Sequence, residues 1–171
     1  MRLLLVLGML FCAGTAAASE PAPPTSSADF ASFSVGVLCS PRVADRSAAP
    51  DTRLGYTNVV AAPRKIGFAQ QKVPATLGVS FGVMFTPTEA LTGVRNVTYR
   101  PGSTKPDVYY TDIEAKPGRY RGFAFEYQEE LVPGLWRMES WQGDKLLYRV
   151  EFQVVPEAAL PEIQAQCLGM S

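Results

Sequence analysis

Between Leu77 and Phe85 every second residue is large and apolar, and the first three between them are small: Leu77, Val79, Phe81, Val83 and Phe85 alternate with Gly78, Ser80 and Gly82. Successive side chains of a strand point to opposite faces, so this run buries one face of a sheet. Its small-residue face predicts close approach of another backbone, or a bend or bulge. Pro74 stops any helix leading into it.

The same period of two recurs along the chain. Phe33, Val35, Val37 and Cys39 form a first strand, and Tyr56 to Ala61 a second, separated by a polar loop from Pro41 to Arg53. Val94 to Arg100 and Val108 to Ile113 follow, then Tyr120 to Tyr127 with Arg121, Phe123, Phe125 and Tyr127 on one face. After the Pro133-Gly134 turn, Leu135 to Trp141 pairs as a hairpin with Leu146 to Val155. Setting Trp136 opposite Phe152 and Met138 opposite Val150 buries both apolar sets. It requires a three-residue turn, Gly143-Asp144-Lys145, and turns Trp141 outward.

About seven short strands with turns between them predict an all-β chain, an antiparallel sandwich of the immunoglobulin-like kind. A small β-barrel is the alternative. The Cys…Trp…Cys order of antibody domains is missing, so only the architecture is implied. The tail changes period: Pro161 opens a short C-terminal helix, Gly169 closes it, and Ile163 and Cys167 share its buried face.

The N-terminus reads as a removable leader. Arg2, an apolar run from Leu3 to Gly14 and Ala16-Ala17-Ala18 have the form of a secretory signal peptide cleaved after Ala18. The run is too short to span a bilayer comfortably, so no stable membrane anchor is expected. Phe11 before Cys12 is too bulky for a lipidation signal. Residues 19–29, rich in Pro, Ala and Ser, read as a flexible arm. Residues 30–171 then form a single domain in the periplasm or outside the cell. Cys12 leaves with the leader, and the remaining pair, Cys39 and Cys167, is expected to form a disulfide.

Composition excludes much chemistry. The 171 residues include no histidine, which removes the usual general base and the commonest transition-metal ligand. Gly78-Val79-Ser80-Phe81-Gly82 fits G-x-S-x-G, but that elbow needs a strand-to-helix turn and a histidine, so Ser80 reads as a small strand residue. No Walker loop, EF-hand or dinucleotide fingerprint is present, and no cofactor, metal or catalytic residue is expected. Asn96-Val97-Thr98 matches a glycosylation sequon by chance. Sixteen basic residues balance 16 acidic ones, so no nucleic-acid partner is expected. The local basic group Arg95, Arg100, Lys105, Lys116, Arg119 and Arg121 reads as a solvated loop surface.

Binding is the one positive hint. Tyr109 and Tyr110 are adjacent, so on a strand one faces away from the core, and Trp141 faces out on the hairpin register. These three are the candidate contacts for a protein or glycan partner.

Several stretches match a known pattern together: Gly36-Val37-Leu38-Cys39, Ala49-Pro50-Asp51-Thr52, Val73 to Gly82, Pro133-Gly134-Leu135-Trp136, Gly143 to Leu147 and Phe152-Gln153-Val154. Over about Phe33 to Val155 the chain resembles an uncharacterised family of exported bacterial proteins, the domain of unknown function DUF3859. That resemblance implies export and a single domain, and it transfers no functional residue. The sequence therefore predicts a non-catalytic binding module. The alternatives are a histidine-free hydrolase or lyase using carboxylates such as Asp112, Glu114, Glu126, Glu129 and Glu130, and an envelope-assembly chaperone.

Overall fold

The computed structural model describes residues 20–39, 43–60 and 65–168. The leader and Gly169 lie outside them. The elements run β1 (Thr25–Ser26), β2 (Phe30–Cys39), β3 (Val43–Ala48), β4 (Tyr56–Val60), β5 (Lys72–Pro74), β6 (Val79–Pro87), β7 (Leu91–Tyr99), β8 (Asp107–Ile113), β9 (Arg119–Ala124), β10 (Gly134–Gln142), β11 (Lys145–Val155) and α1 (Pro161–Leu168).

They build the sandwich that the alternation predicts. One sheet has the order β1-β11-β10-β7-β8, with β5 also pairing β11, and the other is β2-β6-β9. All pairs are antiparallel except β5 with β11. The barrel alternative fails because the sheets do not close on each other. Among the described residues β8 pairs only with β7 and β9 only with β6, which leaves the side between β8 and β9 open.

The core is where the period of two placed it. Val79, Phe81, Val83 and Phe85 of β6 are buried against Trp136 and Met138 of β10 and Val150, Phe152 and Val154 of β11. Phe81 meets Trp136 edge-on at 5.6 Å and Phe152 at 4.9 Å between ring centres. Burying each such side chain contributes roughly 1.5–3 kcal/mol. The small face of β6 also finds its approaching backbone. Gly36, Gly82 and Gly122 stand in one row across the three strands. A methyl group at Gly82 would overlap the Arg121 carbonyl, so only glycine fits.

The hairpin register is as expected, with Trp136 opposite Phe152 and Met138 opposite Val150. Its turn is different. Gln142 pairs with Lys145, so only Gly143 and Asp144 lie between the arms. Gly143 comes first with φ of 55°, as a type II′ turn requires. The parity is restored by a register shift after Ser140, where Leu147 is bulged and takes a fully buried place.

Two segments depart from the sequence reading. Residues 43–48, read as part of a polar loop, form β3 and pair with β4. Every β3 residue is exposed, so no apolar period marks the strand. The segment read as a flexible arm takes a defined path along β11. Thr25 and Ser26 pair with Arg149 and Tyr148, Ala22 N–H donates to Glu151 at 2.9 Å, and Asp29 meets Lys145 at 2.7 Å. Together with β5 it covers the outer edge of β11, an edge otherwise open to pairing with other chains.

Cys39 ends β2 and Cys167 lies on α1. They form the expected disulfide, with Cα atoms 4.9 Å apart. Ile163 and Cys167 share the buried face of α1. No helix among the described residues is long and apolar enough to cross a membrane.

Candidate functional site

The open side of the sandwich holds a cleft of about 500 Å³ between β8 and β9, beneath the β3–β4 hairpin. The hairpin tip is fixed at both ends of this opening. On one side Asp51 accepts from Val108 N–H at 3.0 Å, and Arg53 N–H donates to Asp107 at 2.7 Å. On the other, the Arg53 guanidinium meets Glu130 at 3.1 Å and Asn58 Nδ2 donates to Glu126 at 2.7 Å.

Strand pairing decides which tyrosine enters. Tyr109 stands opposite Asn96, whose side chain is buried, and lines the cleft. Tyr110 stands opposite Arg95 and is 68% exposed. Trp141 also pairs with Arg95, which lies over its ring at 5.7 Å, and its indole N–H donates to Glu139. Tyr110 and Trp141 therefore share the outer face of the large sheet, with Arg95 between them, while Tyr109 belongs to the interior. The structure does not bring the three together.

Arg121 is the residue that sequence reasoning misplaced. Its place among the basic residues of this region predicts a solvated side chain, yet it is 8% exposed. Its period with Phe123 and Phe125 carried the signal that it points inward. The guanidinium reaches across to the other sheet. Nε donates to the Tyr109 hydroxyl at 3.2 Å and Nη1 to the Tyr148 hydroxyl at 3.0 Å. Nη2 donates to the Val97 carbonyl and to Thr98 Oγ1, both at 3.3 Å. Every one of these acceptors is neutral. Burial pushes the Tyr148 and Tyr120 hydroxyls above their ordinary range, so neither supplies a phenolate. Among the described residues Arg121 makes no ion pair. The basic neighbour Arg100 is spent on Asp107, at 3.1 Å.

The catalytic lures resolve into structure. Ser80 lies inside β6, fully buried, and its hydroxyl donates to the Leu38 carbonyl at 3.2 Å. Of the candidate carboxylates, Glu130 is 2% exposed and accepts from the backbone N–H groups of Glu126 and Tyr127 as well as from Arg53. Glu114 pairs with Lys116, and Asp112 accepts from Gly93 N–H. Asn96 of the sequon match is fully buried and accepts from Ser140 at 2.6 Å. No group of three or more Cys, Asp or Glu side chains among the described residues is placed to hold a metal ion.

Comparison with known proteins adds kinship and no activity. No curated protein matches the chain. An immunoglobulin-like protein from Pseudomonas aeruginosa, solved as a crystal structure, is similar at 21% identity with a TM-score of 0.48, over 78% of this chain and 98% of that one. The profile of the family described as Domain of unknown function (DUF3859) matches residues 26–154, and the chain belongs to that family.

Proposed function

We propose that this is an exported, non-catalytic binding module whose partner is a protein seated at the β3–β4 hairpin and the mouth of the cleft. One observation carries the reading. Among the described residues the exposed large hydrophobic ones are Val43, Leu54, Val59, Tyr110, Tyr127 and Leu135. All but Leu135 belong to the hairpin or flank the cleft, with Tyr127 3.3 Å from Tyr56 on the hairpin. Scattered single hydrophobics are ordinary, but Val43, Leu54 and Val59 are three exposed aliphatic side chains on one projecting hairpin, and such a concentration favours a contact surface. Aliphatic side chains such as Val43, Leu54 and Val59 suit a protein partner better than a sugar, which stacks on flat aromatic rings. The disulfide fits a compartment outside the cytoplasm, in keeping with the leader.

Photo-crosslinking in the producing cells tests this. A photoreactive residue at Val59 or Leu54 should trap one protein partner, and the same residue at Asp144, in the β10–β11 turn, should not. Equal trapping at Asp144, or none at the hairpin, refutes the assignment. Trapped material that is removed by glycan digestion would favour the glycan alternative instead.

A further inference from the structure

We propose that Arg121 anchors a carboxylate-binding site in this cleft, so that an acidic side chain or the C-terminal carboxylate of the partner enters and balances its charge. The inference rests on the binding-module reading and names the chemistry that the cleft selects.

A guanidinium is charged at every ordinary pH, and a buried charge is costly unless it is paired. Among the described residues Arg121 has four neutral acceptors and no counter-ion, so its charge is solvated but not neutralised. The other cations of the lining have acid partners: Arg100 has Asp107, Arg53 has Glu130, and Arg119 has Glu114 at 3.9 Å. Two acids of the lining, Glu126 and Asp112, rest on neutral donors, Asn58 and the Gly93 N–H, and neither pairs with Arg121.

The tyrosine hydroxyls show where the carboxylate sits. Tyr148 is buried and its hydroxyl accepts from Arg121 inside the core. Tyr109 accepts from Arg121, and among the described residues its own O–H donates to nothing. Polarised by the guanidinium and facing the cleft, that O–H is a donor waiting for an anion. One Nη1 hydrogen of Arg121 also remains uncommitted. A carboxylate oxygen accepts from the Tyr109 O–H while its charge offsets the guanidinium beside it.

The test is NMR titration of the whole mature protein, observing the Arg121 Nε–H signal. Three small probes separate the sources: N-acetylglutamate methylamide for a side-chain carboxylate, N-acetylalanine for a C-terminal one, and N-acetylglutamine methylamide as the neutral control. A saturable shift with either carboxylate and none with the glutamine probe is expected. Equal response to the glutamine probe, or no response to either carboxylate, overturns the proposal. Saturation by inorganic phosphate at a tenfold lower concentration would reassign the site to phosphate groups and also overturn it. Tyr109→Phe keeps Arg121 and the ring packing, and should weaken carboxylate binding about 2- to 12-fold, the range of one hydrogen bond. Unchanged affinity in that variant places the carboxylate elsewhere. Crosslinking at Val59 with a silent Arg121 would leave the binding module standing and remove this inference alone.

Discussion

Arg121 on β9 donates to the hydroxyl of Tyr148 on β11 at 3.0 Å, so a charged side chain of the three-stranded sheet is bonded into the six-stranded one. The Tyr148 ring itself packs on Phe33 at 5.5 Å and Phe85 at 6.0 Å. Ring and hydroxyl therefore do separate tasks: the ring fills the core, and the hydroxyl solvates a buried cation.

Tyr148→Phe isolates the second task. The ring stays, and Arg121 loses one acceptor in a place water does not replace. The expected cost is about 1.5–3 kcal/mol, the range for hydrogen bonds to charged groups. Urea unfolding should show a lower midpoint with an unchanged slope. A variant as stable as the parent would mean that the bond contributes nothing to the fold.

Trp136 tests the core. It is fully buried, touches Phe81 and Phe123 with ring centres 5.6 and 4.9 Å away, and donates from Nε1 to the Val132 carbonyl at 2.9 Å. Trp136→Ala should cost about 3–5 kcal/mol through the cavity it opens. A melting temperature within a degree or two of the parent would contradict that.

The disulfide joins residues 128 positions apart. Chain-entropy reasoning gives about 4–5 kcal/mol for closing so long a loop, an upper figure because a compact unfolded chain loses less. Replacing both Cys39 and Cys167 by Ser should lower stability by up to that amount while the sheets remain. Thiol counting on the denatured, unreduced parent should find neither cysteine free.

How much was legible follows from burial. Val79, Phe81, Val83 and Phe85 announce β6 because one face of the strand is buried and the other meets a glycine row. β3 announces nothing, since all six of its residues are exposed and no apolar period is imposed on it. The cleft was hidden for the same reason, because its roof is that hairpin. For the tyrosines, adjacency guaranteed that one faces inward, but only pairing with Asn96 or Arg95 decides that it is Tyr109. The bulge at Leu147 is equally invisible, as a three-residue turn and a two-residue turn with a bulge bury the same apolar pairs. Arg121 had the right period, but its charge class pointed to solvent, and no local pattern records four neutral acceptors brought from three other strands.

The last prediction concerns the roof of the cleft. Glu130 is buried and holds Arg53 of the hairpin tip at 3.1 Å while accepting from two backbone N–H groups at 2.8 and 3.0 Å. Glu130→Gln keeps the shape and one acceptor oxygen but removes the charge that Arg53 answers. Arg53 is about a third exposed, so solvent screens part of the loss. The hairpin lies outside the two packed sheets and every residue of β3 is exposed, so the effect should be local opening and not global unfolding. Hydrogen exchange should quicken about 10-fold at the amides of residues 48–56, with β6 and β10 unchanged, which corresponds to roughly 1.4 kcal/mol. Uniform acceleration across the core would show that Glu130 supports the whole sandwich. No acceleration anywhere would show that Asp107 and the Asp51–Val108 bond hold the tip without it.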